Sequence, residues 1–421
     1  MKKDILLKGL VPTLVLFSTQ AAALPFQSID PRSFAMGGVG VASGTSANAG
    51  FMNPALLAAA KDDEDFSLEF PIIGARIHDP DNLIDEINAY QDNNLEGNLT
   101  SAIDTFKADT TAAAAASAVG DAATAILTQL QKLSNKPIQG EVFAGMVVGV
   151  PSKKVGASLN LSGYAVGGGL FDLKSADTSL INGIISDAAT SPAALASNTA
   201  VADQISNTQN VVDKLQSGLD ARGALITEVG LSLAHEFNIA GHNVAVGITP
   251  KAVKVKTFDY FLDANTAKFD ANTGTKDYND VNLDVGLAKD YGNGWKAGLV
   301  AKNLIAHDYQ TVLGHTVKIE PQLRAGVSRS NDWLTLAADL DLKENQPAGF
   351  DSKTQYLAVG AELDLFDWVQ FRAGYRHNLS DTNTSIPTIG FGFSPFGVHI
   401  DVAYAQNNTE KAASLQLGFR F

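Results

Sequence analysis

Chemistry in this chain is sought first among seven histidines, the serines of two glycine-bearing phrases and one acidic repeat. His235-Glu236 is followed by His242, a separation of seven. A helical zinc-protease motif needs its histidines four apart so that both imidazoles share a face, and these residues fall in a predicted strand and turn. Gly38-Val-Gly40-Val-Ala-Ser43 carries only the first two glycines of a dinucleotide fingerprint. Gly44-Thr-Ser46-Ala-Asn48 lacks the final glycine of a nucleophile elbow. Asp263-Ala-Asn-Thr266 recurs as Asp270-Ala-Asn-Thr273 with Asp277 beyond, but the spacing matches no EF-hand loop and reads as a solvated acidic loop. With no cysteine there is no disulfide, thiolate metal site or thiol nucleophile. The reading is a non-enzyme with no catalytic residue, metal or cofactor.

The elements that such residues would sit on point elsewhere. Residues 413–421 alternate: Ala413, Leu415, Leu417, Phe419 and Phe421 on one face, Ser414, Gln416, Gly418 and Arg420 on the other. That is a half-apolar strand, and its aromatic ending resembles the signal by which outer-membrane barrels engage their insertion machinery. At the other end, Met1-Lys2-Lys3, an apolar run from Gly9 to Phe17 and Ala21-Ala22-Ala23 predict a signal peptide over 1–23, since the run is too short to span a bilayer. The formal charge is −14; losing residues 1–23 removes three lysines and one aspartate and leaves −16. No basic nucleic-acid footprint is present. No mature segment is apolar enough for a membrane helix, which leaves a secreted β-protein or a barrel whose alternation hides from a hydropathy average.

Alternating segments fall near 66–77, 142–150, 155–170, 224–237, 243–258, 279–290, 295–304, 317–329, 333–342, 355–365, 369–378, 386–394, 397–405 and 413–421. Fourteen is even, as a closed antiparallel barrel requires. Connections alternate between long and tight, with tight turns at Ser152–Lys154, Asn238–His242, Tyr291–Gly294, Ser330–Asp332, Phe366–Trp368 and Ser394–Phe396. The fold class is therefore an all-β transmembrane antiparallel barrel over 66–421, with the N-terminus on the periplasmic, tight-turn side and outer-membrane lipid around it. Trp295, Trp333, Trp368, Tyr291 and Tyr404 fall near strand ends, as interfacial girdles do. Two insertions, near 82–135 and 178–219, carry apolar residues at helical spacing and predict a packed helical cap on the outer side.

Residues 24–65 are too long for a simple lead-in and read as an N-terminal plug within the lumen. Their phrases are Phe34-Ala-Met-Gly37-Gly38 and Phe51-Met52-Asn53-Pro54-Ala55. Here the chain resembles the FadL-like outer-membrane transporters of hydrophobic compounds, and among them the branch labelled conjugal-transfer TraF-like proteins. The resemblance implies fourteen strands, a lumenal hatch formed by that motif and a hydrophobic small-molecule ligand. It also implies a kink in the third strand that opens the wall sideways. Gly167-Gly168-Gly169 lies in the third predicted strand and is the candidate for that lateral opening or for a hatch contact.

The functional expectation is an outer-membrane channel for passive uptake of small hydrophobic molecules, fatty-acid-like or aromatic, through a plugged lumen. The alternative is a non-transporting envelope component that supports conjugation or secretion by binding a partner protein with its helical insertions.

Overall fold

The computed structural model describes residues 28, 30–58, 65–263, 274–345, 350–351, 353–366 and 368–420. Sixteen strands are formed: β1 Ser67–His78, β2 Pro137–Val150, β3 Gly156–Asp172, β4 Gly218–Ile239, β5 His242–Asp263, β6 Thr275–Gly292, β7 Trp295–Lys302, β8 His307–Gln310, β9 Thr316–Ile319, β10 Gln322–Ser330, β11 Leu334–Asp341, β12 Tyr356–Leu365, β13 Val369–Asn378, β14 Ile386–Phe393, β15 Val398–Gln406 and β16 Glu410–Arg420. Fourteen of them close a barrel in which each strand is antiparallel to its sequence neighbour. β1 pairs with both β2 and β16, and β7 pairs with β10 across the β8–β9 hairpin, which stands apart from the wall.

The side-chain period of two decides which face meets what. Along β15, Val398, Ile400, Val402 and Tyr404 are exposed, while His399, Asp401, Ala403 and Ala405 are buried. On β16 the same alternation places Leu417 and Phe419 outward and Ser414, Gln416 and Gly418 inward. The outer wall thus presents a continuous apolar belt, including Leu336, Val359, Phe371, Ile389 and Ile400. In water such a belt would be a large aggregation surface; in lipid it is matched to its solvent. Trp295, Trp333 and Trp368 are exposed at the tight-turn rim, and Tyr404 lies toward the opposite end of its strand, which is girdle placement. Among the described residues no helix is long and apolar enough to cross a membrane.

Eight α-helices accompany the barrel in the described residues. α1 (Pro31–Ala35) and α2 (Ala49–Met52) belong to the lumenal segment. α3 (Leu83–Asp92), α4 (Leu95–Ala108) and α5 (Ala113–Leu133) lie between β1 and β2. α6 (Ser175–Thr190), α7 (Pro192–Ser197) and α8 (Thr199–Ile205) lie between β3 and β4. The two insertions share one core, in which Leu83, Ile103, Phe106, Ile126, Ile181 and Val201 are buried together with the wall residues Ile138, Leu219 and Ala221. Alanine on the outer face of α5 favours helix without adding apolar surface, and the buried stripe fixes the cap to the long-loop rim. Asp177 seals the second insertion by accepting the Gln216 and Ser217 backbone N–H groups at 2.9 and 2.6 Å.

The sequence-based boundaries need correction, β2 starting at Pro137 rather than 142 and β6 at Thr275 rather than 279 among others. The strand expected at 317–329 is two, because Pro321 has no N–H to donate and the chain turns between β9 and β10. β4 starts at Gly218 rather than 224, and β5 runs to Asp263 rather than 258, so these strands stand well above the rim. Helix in the second insertion accordingly ends at Ile205, with a 3-10 turn at Val211–Lys214 before β4.

Candidate functional site: the plugged lumen

Residues 30–58 fill the lumen near the tight-turn rim. Asp30 caps α1 by accepting the Ser33 N–H at 2.8 Å, and Pro31 supplies a helical φ at the first position. Gly37 and Gly38 then take φ of +78° and +96°, which lets the chain reverse against the wall. Wall groups grip the backbone that follows. Asp339 accepts the N–H groups of Gly40 and Val41 at 2.8 and 3.0 Å. Thr388 Oγ1 donates to the Ala35 carbonyl at 2.7 Å and accepts from Gly37 N at 2.9 Å. Lys302 Nζ donates to the Phe51 carbonyl at 2.7 Å. Asn53 donates to the carbonyls of Val41 and Leu287 at 2.8 and 3.0 Å, and its Oδ1 accepts the Ala55 N–H at 3.1 Å.

Close seating depends on inward-facing wall glycines. Gly247 lies opposite Gly286, Gly298 opposite Gly326, and Gly360 opposite Gly374 in their ladders. A Cβ at these positions would collide with Ala55, Asn53, Val41, Asp339, Met36 and Gly37 respectively. Removing the side chain from the wall therefore makes the volume that the plug occupies.

Charged groups line much of the remaining lumen, as paired sets. Arg32 of the plug forms a bidentate pair with Glu362, at 2.8 and 2.6 Å, and Arg372 binds both Glu362 (2.6 Å) and Asp401. Arg324 pairs with Asp341. Lys251 meets Glu228 and Asp284, each at 3.1 Å. Toward the long-loop rim Arg76 binds Glu141 (2.6 Å), Asp351 (2.9 Å) and Glu410 (3.0 Å). Buried charge in a lumen is tolerable only in such sets, because each unpaired ion would carry a desolvation cost of several kcal/mol. A polar cavity of about 470 Å³ lies between plug and wall at the tight-turn rim, lined by Arg32, Ser43, Trp333, Glu362, Arg372 and Asp401 among others.

One sector differs. Ile72, Phe143, Val147, Tyr164, Val166, Ile226, Val253 and Val255 make an apolar inner face on β1 to β5. It is closed from the plug side by Phe51 and from the other by Tyr309, Val317 and Ile319 of the β8–β9 hairpin. The hairpin is tied down by Tyr278 Oη donating to the Gln310 carbonyl at 2.7 Å, by Lys276 donating to the Thr311 carbonyl at 2.8 Å, and by the buried Asp259 carboxylate, which meets Thr311 and lies 2.7 Å from His315. These contacts hold the hairpin over the apolar sector.

The residues of the sequence-derived plug motif all lie in the lumenal segment. Phe34 packs with Ala35, Ile386 and Ala403, Phe51 faces the apolar sector, and Pro54–Ala55 abut Gly247. The expected opening at Gly167–Gly169 is not present: β3 stays paired there with both β2 and β4, with no register shift. The small size of Gly168 serves a close approach, by Gln139 and by Phe350 of the β11–β12 connection. The register break of this region of the wall is in β1, between Glu69 and Ile72. Leu415, Leu417 and Phe419 lie on the terminal strand with their side chains toward lipid; Phe421 lies outside the described residues, as does most of the Asp263–Thr273 repeat. His235 approaches the Lys154 carbonyl and His242 starts β5 at a tight turn. Among the described residues no cluster of metal-ligating side chains forms. Sequence reasoning missed the paired wall glycines, the buried ion sets and the hairpin. Glycines at inward positions of adjacent strands were the available signal.

A closed barrel of fourteen antiparallel strands, belted for lipid and stoppered by its own N-terminal segment, is an outer-membrane-type plugged β-barrel. Residues 50–341 match the sequence family described as "F plasmid transfer operon, TraF, protein", more than half of the chain, and the protein belongs to that family. No curated protein matches it. Among solved structures it is similar to the Ralstonia pickettii toluene transporter TbuX, with 14% identity, a TM-score of 0.52 and coverage of 93% of this chain and 98% of that one. It is also similar to the P. putida toluene transporter TodX (10%, TM-score 0.51, 93% and 98%) and to the monoaromatic hydrocarbon channel CymD (12%, TM-score 0.50, 95% and 99%). At these identities the likeness shows the fold alone.

Proposed function

We propose that the protein sits in the outer membrane of a Gram-negative bacterium with its tight-turn rim and N-terminus toward the periplasm, and passes small hydrophobic molecules by diffusion through a gated lumen. The observation that carries this reading is the apolar sector on β1 to β5, set in a lumen otherwise lined by ion pairs. An aromatic or aliphatic molecule gains about 25 cal/mol per Å² of apolar surface buried there, and gains nothing against the charged wall. The named channels of similar fold support the class of ligand. Soaking crystals with bromobenzene tests the reading: an anomalous bromine peak among Phe143, Tyr164 and Val255, lost in Val255→Asp, is expected. Density with no bromine in this sector would contradict it.

A second reading is favoured by the hairpin packed over the apolar sector and the unbroken ladder at Gly167–Gly169. In it the barrel is an anchor, and the helical cap binds a partner protein. His78 pairs with Gln139, so a tight turn can replace residues 79–138 without moving the wall. Loss of a co-purifying complex in that deletion, with hydrophobic uptake retained, would favour this reading.

A further inference from the structure

One seam of the wall, beside β6, is closed by something other than a strand ladder. The β6–β7 ladder ends at Val285, paired with Ala301, although β6 continues to Thr275 with β5 alongside it. β7 stops at Lys302 because Asn303 turns into the left-handed region at φ +53°. Residues 303–307 then run along the free edge of β6. Among the described residues their single backbone–backbone bond to it is Leu304 N to the Leu283 carbonyl, at 3.0 Å. Side chains make the others. Asp284 accepts the Asn303 N–H at 2.8 Å. Asn282 accepts from Ile305 N at 3.1 Å and donates to its carbonyl at 3.0 Å. His307 Nε2 lies 3.1 Å from the Val281 carbonyl.

The location is informative. Outward residues on the neighbouring rows change from Ala252 and Val281 to Lys254 and Asn279, so the seam lies at the edge of the apolar belt. Its rim is greasy: Val281 is 64% exposed, Leu304 41% and Ile305 43%. Immediately inward, the same segment becomes the hairpin that covers the apolar sector, and the His307 ring stacks on Tyr309 with centroids 5.8 Å apart.

We propose that Asn303–Ile319 is one gate, which opens the wall between β6 and β7 and uncovers the apolar sector in a single movement, joining lumen to lipid at that seam. The proposal rests on the hydrophobic-channel reading for its cargo. Backbone groups facing hydrocarbon need partners, and the Asn282 and Asp284 side chains provide them in the closed state. Rotating them frees residues 303–305; the hairpin's ties to Lys276, Tyr278 and Asp259 must break in the same movement, while β6 keeps its ladder with β5. A seam closed by ordinary strand pairing could open only by breaking that ladder.

The cysteine-free chain makes the test clean. Leu283→Cys with Leu304→Cys bridges the seam, and Val285→Cys with Ala301→Cys bridges the adjacent intact ladder as control. Influx of the hydrophobic dye N-phenyl-1-naphthylamine into cells carrying each protein is followed before and after reduction. Bridging the seam should lower influx at least about tenfold, reversibly, while the control bridge leaves it unchanged. Unchanged influx with the seam bridge confirmed by intact mass would overturn the gate and leave the channel reading standing. Hydrogen exchange of the unmodified protein in nanodiscs is the independent readout. Amides 303–319 should exchange as one group, roughly tenfold or more faster than 295–302. Protection of 303–307 equal to that of β7, or exchange unrelated to that of the hairpin, would overturn the proposal even where wild-type cells take up no dye above a vector control, the result that would remove the channel reading itself.

Discussion

Gly360 and Gly374 face each other across the β12–β13 ladder, and Met36 and Gly37 of the plug occupy the space that two Cβ atoms would fill. Wall and plug are therefore fitted at backbone level, and the fit is testable by adding one carbon.

Gly374→Ala should cost about 1–3 kcal/mol, because the added methyl meets plug backbone rather than a movable side-chain tip. Gly163→Ala is the control, since a Cβ there meets nothing within 4 Å. Thermal unfolding of the two variants in detergent should separate them by several degrees, and single-channel recording should show added conductance only for Gly374→Ala. Equal melting temperatures would mean that the plug does not seat as described.

Arg372 and Arg32 share Glu362, but Arg372 also holds Asp401. Arg372→Ala leaves two buried carboxylates with one cation, whereas Arg32→Ala leaves Glu362 still paired with Arg372. Breaking a buried set by removing one partner costs about 3–5 kcal/mol. Arg372→Ala is expected at that level, and Arg32→Ala lower by about 1–2 kcal/mol because one partner remains. Urea midpoints of the two variants would check the order.

Asp351 gives a pH dependence. Burial alone would raise its carboxyl, but Arg76 and His78 outweigh that and hold it at about 2. A carboxylate depressed below its unfolded value of about 3.9 contributes stability in full above that value and loses it as pH falls toward about 2. Docking of the Phe350–Asp351 turn, with Phe350 over Arg222 at 4.0 Å, should therefore be unchanged from about pH 7 to about 5 and weaken between about 4 and 2. Iodide quenching of a Phe350→Trp variant reports it, and a transition centred above about pH 5 would contradict the assignment.

Phe143 fills the space above Gly74 in the apolar sector. Phe143→Ala should cost about 3–5 kcal/mol through the cavity it leaves, and should increase binding of small aromatic probes by enlarging the same space. Xenon derivatisation of the variant would locate the cavity.

The wall was legible because lipid outside and ion pairs inside impose an uninterrupted period of two, as in Leu357–Leu365 against Val369–Tyr375. The plug was legible from Phe51-Met-Asn-Pro-Ala55, where Asn53 needs its amide for two carbonyls at once. What stayed hidden was non-local. Nothing near Asp339 in sequence shows that it receives Gly40 and Val41, 299 and 298 residues away. The glycine triplet misled for a related reason: Gly167–Gly169 signals a place where bulk is excluded, and a bend and a close neighbour leave the same mark. The neighbours are Gln139 and Phe350 at Gly168 and Leu219 at Gly169, which local sequence cannot reveal.

The most direct test of the central claim is dye influx into intact cells. A host lacking other channels of this architecture is given the wild-type gene, Val255→Asp, or vector alone, and N-phenyl-1-naphthylamine fluorescence is followed as the dye reaches inner phospholipid. The account expects faster influx with wild type than with vector, by roughly tenfold, and a return toward vector with Val255→Asp, since a buried unpaired carboxylate in the apolar path costs several kcal/mol. Equal influx for all three, with folded barrel present in the membrane, would contradict a hydrophobic channel and leave the helical cap as the functional surface.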